Sequence, residues 1–206
     1  EHLRLLWLTP AMDRLFAGPA GDRRRFMDRL VAPFDPAHSA RLSVFERLMR
    51  ERNLLLAEPR FDAVWMTSLE ANMAEQAVAI AAARLAGIEA LQRHITDNRS
   101  ESAFPWAEVR IEGELEQALA DTPAVRVEDQ YRDALEASRP LDRAAARTLK
   151  GPHRSDLAVV HGPKQQAAAN CSTGEQKALL IGLILAQAYA VKAVAGAAPV
   201  LLLDEV

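Results

Sequence analysis

The chain has 206 residues, half of them hydrophobic, with a formal charge of −3 at neutral pH and a single cysteine. That apolar content fills one or two packed cores, and the near-balanced charge excludes a global field that draws the molecule to nucleic acid. Any DNA contact must come from a local patch. The lone Cys171 excludes an intrachain disulfide framework, fits a reducing compartment, and reads as a small buried hydrophobe. With no signal peptide or transmembrane run in view, a cytoplasmic protein with no membrane partner is expected.

Leu3–Leu8 reads as a strand that stops at Thr9-Pro10, where proline removes a ladder donor. After a turn at Gly18-Pro19, Asp22 to Leu30 reads as a helix with Phe26, Met27 and Leu30 inward. It carries Arg23, Arg24, Arg25 and Arg29. Consecutive residues fan around a helix, so three arginines in a row cannot face one ligand. Two readings stand: a solvated face with some carboxylate pairing, or phosphate contact with DNA, for which the guanidinium fork is suited. Arg41, Arg47, Arg50 and Arg52 add basic charge on the next helix, where Phe45, Leu48, Met49, Leu55 and Leu56 form the inward stripe.

From Pro59 a helical pattern runs to about Asp97, with Trp65, Leu69, Met73, Ile80, Ile88, Leu91 and Ile95 as its stripe. Such a helix spans ~50 Å, a length that suits an arm in an antiparallel hairpin. Alanine at too many core positions excludes a sustained heptad coiled coil, and the Ala-rich centre allows close helix packing. Asn98–Pro105 reads as a linker and Glu108–Gly113 as a short strand with Val109 and Ile111 on one face. Helical patterns return from Glu114 and Val127, with Tyr131 and Leu135 inward and Pro140 ending the second. This acidic region is an unlikely DNA surface.

Gly151-Pro-His-Arg-Ser-Asp156 reads as a turn before a strand at Leu157–His161. His153 has no second His or Cys at ligand spacing, so it reads as a locally bonded turn residue. Arg154 could reach a phosphate or a carboxylate. Ser172-Thr-Gly-Glu-Gln-Lys177 is a polar helix start: Ser172 can cap, and Gly174 lets another group approach the backbone. The following run to Val194 is apolar on nearly every side, as in a packed domain. Interrupted by Gln187 and Lys192, it is expected to fall short of the ~20 apolar residues of a membrane span.

Val200–Leu203 lacks polar alternation, which suits a strand covered on both faces. It ends on Asp204 and Glu205, where an α/β sheet places its chemistry. One carboxylate can hold Mg²⁺ through its water shell, and the next can orient or deprotonate an attacking water. Each half alone has a plain explanation, a helix cap or a polar loop. Together and in this order, the two halves are far more specific.

The combination resembles the signature and Walker B motifs of ABC-type ATPases. Ser172-Thr-Gly-Glu-Gln-Lys-Ala-Leu-Leu180 resembles the RecF family in particular. So do Trp7-Leu-Thr-Pro-Ala-Met-Asp13 with Asp22-Arg-Arg-Arg-Phe-Met-Asp-Arg-Leu30, and the Gly151–Asp156 segment. The resemblance implies a mixed α/β fold, part of an ABC-type ATPase head with a P-loop NTPase-like sheet and a large, mainly α-helical second lobe. Residues 1–10 would give a strand of the ATPase lobe, 11–150 the helical lobe with its hairpin arm, and 151–206 the C-terminal part of the ATPase lobe.

By the same resemblance, the function is that of an ATP-gated dimer in recombinational DNA repair and replication-gap processing. It would bind gapped single- and double-stranded DNA and work with RecO and RecR to help load recombinase. Ser172, Gly174, Glu175 and Lys177 would meet the γ-phosphate side of an ATP held by the other subunit. Asp204 would serve Mg²⁺ and Glu205 would be the general base.

A Gly-x-x-x-x-Gly-Lys-Ser/Thr phosphate loop occurs nowhere in the 206 residues, and no Q-loop glutamine stands near Leu6. In the family the loop would lie upstream of Glu1. The chain is therefore expected to be an internal piece of a slow DNA-stimulated ATPase, carrying half of each ATP site and inactive alone. Two alternatives are an SMC-like head of another type, which would need a far longer coiled coil, and a non-catalytic DNA-binding or scaffold module. Glu205 argues against the second, because a degenerate site has no need of the base.

Overall fold

Strand β1 (Leu5–Leu8) lies parallel to β5 (Val200–Leu203), in register from Leu5 opposite Val200 to Leu8 opposite Leu203. The computed structural model describes residues 5–9, 12–60, 62–100 and 102–203. Parallel strands need a crossover connection, and here nearly the whole chain supplies it. Leu6, Leu8 and the partly buried Leu201 face the core, while Trp7, Val200 and Leu202 are exposed. Among the described residues, the expected cover on both faces is thus met on one face only, because alternate side chains of a strand point to opposite sides.

The chain packs as two units. The first holds residues 1–36, 86–111 and 156–206. Besides the β1–β5 pair it contains α1 (Ala20–Val31), the final turns of α3 (Ala63–Asp97), and α6 (Thr173–Ala195). A three-stranded sheet runs in the order β2 (Ala107–Glu112), β3 (Asp156–His161), β4 (Gln166–Ala167). β3 and β4 are antiparallel, with Val160 opposite Ala167 and His161 opposite Gln166. Leu157, Val159 and His161 alternate inward along β3, the period of two that a half-buried strand requires. Phe26, Met27 and Leu30 of α1, Leu91 of α3 and Leu179, Leu180 and Leu183 of α6 complete one core.

By length and composition α6 does meet the requirement for a membrane span over Thr173–Val194, which corrects the sequence expectation. Gln187 is too little to break that pattern. Its side chain is instead fully buried and donates to the carbonyl of Leu30, tying α6 to α1. The helix ends at Gly196, whose left-handed φ of 73° suits glycine at a C-terminal cap.

The second unit holds residues 37–85 and 112–155. It is helical: α2 (His38–Ala57), the first part of α3, α4 (Glu114–Asp121) and α5 (Ala124–Ala144). Phe45, Leu56, Met66, Met73, Ile80 and Leu135 make its core, with Ala74, Ala77 and Ala81 letting neighbours approach α3 closely. Three details differ from the sequence reading. α3 starts at Ala63 rather than near Pro59, because the Asp62 carboxylate accepts from Val64 N–H at 2.8 Å and Trp65 N–H at 3.1 Å. Its stripe begins at Met66, fully buried, while Trp65 points to solvent. Pro140 lies inside α5, which continues to Ala144; the missing N–H costs a bond to Glu136, an exposed residue whose carbonyl water can serve. Residues 12–36 and 86–111, grouped by sequence with the helical lobe, pack in the first unit.

Candidate functional site at the start of α6

The polar start of α6 is a reciprocal cap. Ser172 Oγ accepts the Glu175 N–H at 3.4 Å, and Glu175 Oε2 accepts the Ser172 N–H at 2.9 Å. Two donors that a helix start would leave orphaned are satisfied this way. Gln176 anchors the turn from beneath, its buried Nε2 donating to the Cys171 carbonyl at 2.9 Å. Cys171 is itself buried, as its residue type suggested. Above that base Ser172, Thr173 and Gly174 are exposed, and a side chain at Gly174 would meet nothing within 4 Å. The first turn of this helix is open to an approaching group, and its N–H groups and dipole favour an anion there.

Glu175 does a second job. Its Oε1 pairs with Lys164 Nζ, a residue that sequence reading did not single out. The Lys164 hydrogen bond, followed by the Ser172 backbone N–H, holds the Glu175 carboxyl down at about 2. The same bond holds the Lys164 ammonium above its ordinary value. Lys164 closes a 3-10 turn at Gly162–Lys164 between β3 and β4, and only that turn brings it to α6. Lys177 is partly buried and, two residues on, points to the opposite flank of Gln176 from Glu175. Asp204 and Glu205 lie outside the described residues. Among the described residues, no group of three or more His, Cys, Asp or Glu could hold a metal ion.

The four arginines of α1 do not share one environment. Arg23 is committed to Asp156 of β3 through two bonds, Nε–Oδ1 at 2.8 Å and Nη2–Oδ2 at 2.6 Å. Arg24 is partly buried. Arg25 is exposed and pairs with Asp22 one turn earlier. Arg29 lies over the rings of Trp7 (5.3 Å) and Phe26 (5.7 Å), and burial, then the nearby Arg25 charge, lowers its pKa. A groove of about 720 Å³ gathers Arg14, Arg25 and Arg29, balanced by Asp13 and Asp22, beside Thr173 and Gln176 of α6. His153 is bonded within its own turn, Nε2 lying 3.0 Å from the Thr148 carbonyl oxygen, and Arg154 is exposed.

The architecture is a mixed α/β unit with a capped, exposed helix start and a mainly helical second unit. The solved structure of "the recombination mediator protein RecF-ATPrS in RecFOR pathway" matches it with a TM-score of 0.83 at 20% identity, covering all of this chain and 56% of that one. The corresponding RecF-ATP structure matches at 0.82, over 99% and 55%. No family model matches the chain.

In sequence, the whole chain is homologous to proteins named DNA replication and repair protein RecF. Identity over all 206 residues is 53% with that of Allorhizobium ampelinum, 50% with Mesorhizobium japonicum and 52% with Rhizobium rhizogenes. The chain spans about half the length of these relatives, 54 to 55%.

Proposed function

We propose that this chain is the part of a RecF-type, ATP-dependent DNA-binding protein that presents the start of α6 to the γ-phosphate of an ATP held by a second copy. The reading rests on one observation above all: a capped helix start left open at Gly174. An anion docked there gains from free N–H groups and the helix dipole, worth up to ~2 kcal/mol. Asp204 holds Mg²⁺ through water and Glu205 acts as general base on the attacking water. Dimerisation around ATP then gates engagement of gapped DNA in recombinational repair, in the cytoplasm, with RecO and RecR as partners by family likeness. The ATPase lobe corresponds to the first packing unit and the helical lobe to the second.

The test is Ser172→Arg in the full-length protein, followed by sedimentation with and without ATP and by a nucleotide-binding titration. Bulk and charge at Ser172 block docking of the second copy's nucleotide, so ATP-driven dimerisation is lost while nucleotide binding by the monomer persists. A variant that still dimerises with ATP reduces Ser172 to a helix cap and overturns the reading.

A further inference from the structure

Glu175 presents a difficulty for the site just described. Its carboxylate sits in the first turn of α6, three residues from Ser172, on a surface argued to receive a polyphosphate. An uncompensated negative charge there repels the ligand. Lys164 is the group that meets it, with Nζ on Oε1 while Oε2 stays on the Ser172 N–H. The pair is solvent-exposed, with side chains 49% and 31% accessible, and pairs of that kind contribute little to stability.

The backbone nonetheless holds Lys164 in place by several independent means. His161 Nδ1 accepts the Lys164 N–H at 3.4 Å. Gly162 lies so close under the Trp106 ring that a side chain there would collide with it, and its N–H donates to the Trp106 carbonyl at 2.9 Å. Gln165 then reverses the chain in the left-handed region at φ 49°, with its side-chain amide donating to the Gly162 carbonyl at 2.8 Å.

We infer that Lys164 is a positioning residue of the phosphate-docking surface: it neutralises the Glu175 carboxylate and holds it in the capping box, so that an anion can approach Ser172. This rests on the trans-docking reading above. Lys164 acts through Glu175, without itself contacting the phosphate.

The experiment uses the full-length protein and ATP, and reads the ATP concentration for half-maximal dimerisation alongside monomer nucleotide affinity and thermal midpoint. Lys164→Ala raises that concentration by about three- to tenfold and leaves monomer affinity and midpoint unchanged. Lys164→Arg keeps the wild-type value. Lys164→Ala combined with Glu175→Gln recovers most of the loss, because the charge that needed neutralising is gone while an amide can still accept the Ser172 N–H.

No effect of Lys164→Ala overturns the inference. So does a double variant as weak as Lys164→Ala alone, since that pattern belongs to a lysine touching the phosphate directly. Ser172→Arg, run in parallel, separates the two failures: if it blocks dimerisation while Lys164→Ala does not, the docking surface stands and only the role of Lys164 falls.

Discussion

Arg23 of α1 and Asp156 of β3, 133 residues apart in sequence, form a two-point pair in which Nε and Nη2 each meet a different carboxylate oxygen, at 2.8 and 2.6 Å. Both side chains are mostly shielded, 18% and 26% accessible, and Arg23 also donates to the carbonyls of Phe16 and Gly18. A planar fork of this kind is spent on the fold. Arg23→Ala should therefore destabilise the protein by about 1–3 kcal/mol, by stranding Asp156 and two carbonyls. Chemical denaturation checks it, and a variant within error of wild type would leave the pair without energetic weight.

Arg25 is the exposed arginine of the α1 run, and Arg24 beside it is partly buried, so the test of a DNA contact falls on these two. Charge reversal at Arg24 and Arg25 in the full-length protein should weaken DNA binding. It should also flatten the plot of log affinity against log salt, by about one unit for each phosphate that is no longer neutralised. Unchanged affinity and slope would make this face a solvated one.

Arg52 is wholly buried in the helical unit. It donates to Glu70 at 2.9 Å, Asp142 at 2.6 Å, Thr148 at 3.0 Å and the Leu135 carbonyl at 2.8 Å. Arg52→Met leaves the buried Asp142 without its cation and Glu70 with Arg139 alone, for an expected loss of about 3–5 kcal/mol. Arg52→Lys recovers little, since an ammonium cannot reproduce the fork. Denaturation midpoints of the two variants decide the matter.

The Glu175 carboxyl is held at about 2, against an ordinary 4.5. For a carboxylate whose folded pKa is depressed, the stabilisation is complete above the unfolded value and disappears as pH falls through the folded one. The cap should thus hold down to pH 4.5 and loosen between there and about 2. Lys164→Gln should raise the Glu175 titration midpoint, followed by NMR of its side-chain carboxyl. A midpoint that stays put would credit the Ser172 N–H alone.

Glu205→Gln in the full-length protein should bind ATP normally and hydrolyse it about 10²–10⁴ times more slowly, so that an ATP-bound dimer accumulates. Wild-type turnover would assign the base to another residue.

Short-range pattern was sufficient for most of the elements and for the capped start of α6. The Ser172–Glu175 box is written in four consecutive residues, and α6 and β5 follow from their apolar runs, because caps and periodicity are local physics. Even Pro59 and Pro140 misled only at boundaries, where a single hydrogen bond decides. The partners of charged side chains were a different matter. Four arginines on α1 look alike in sequence, yet one is locked to β3, one lies over Trp7 and one pairs within its own helix.

Likewise nothing near Lys164 announces Glu175, and nothing near Arg52 announces Glu70 or Asp142. A charge's role depends on which opposite charge the folded chain brings within about 4 Å and on how much water remains between them. Periodicity carries neither quantity. The sequence alone determined where most of the helices and strands fall and that Ser172 and Glu175 cap α6. Only tertiary structure, through distance and desolvation, decided which charges hold the fold together.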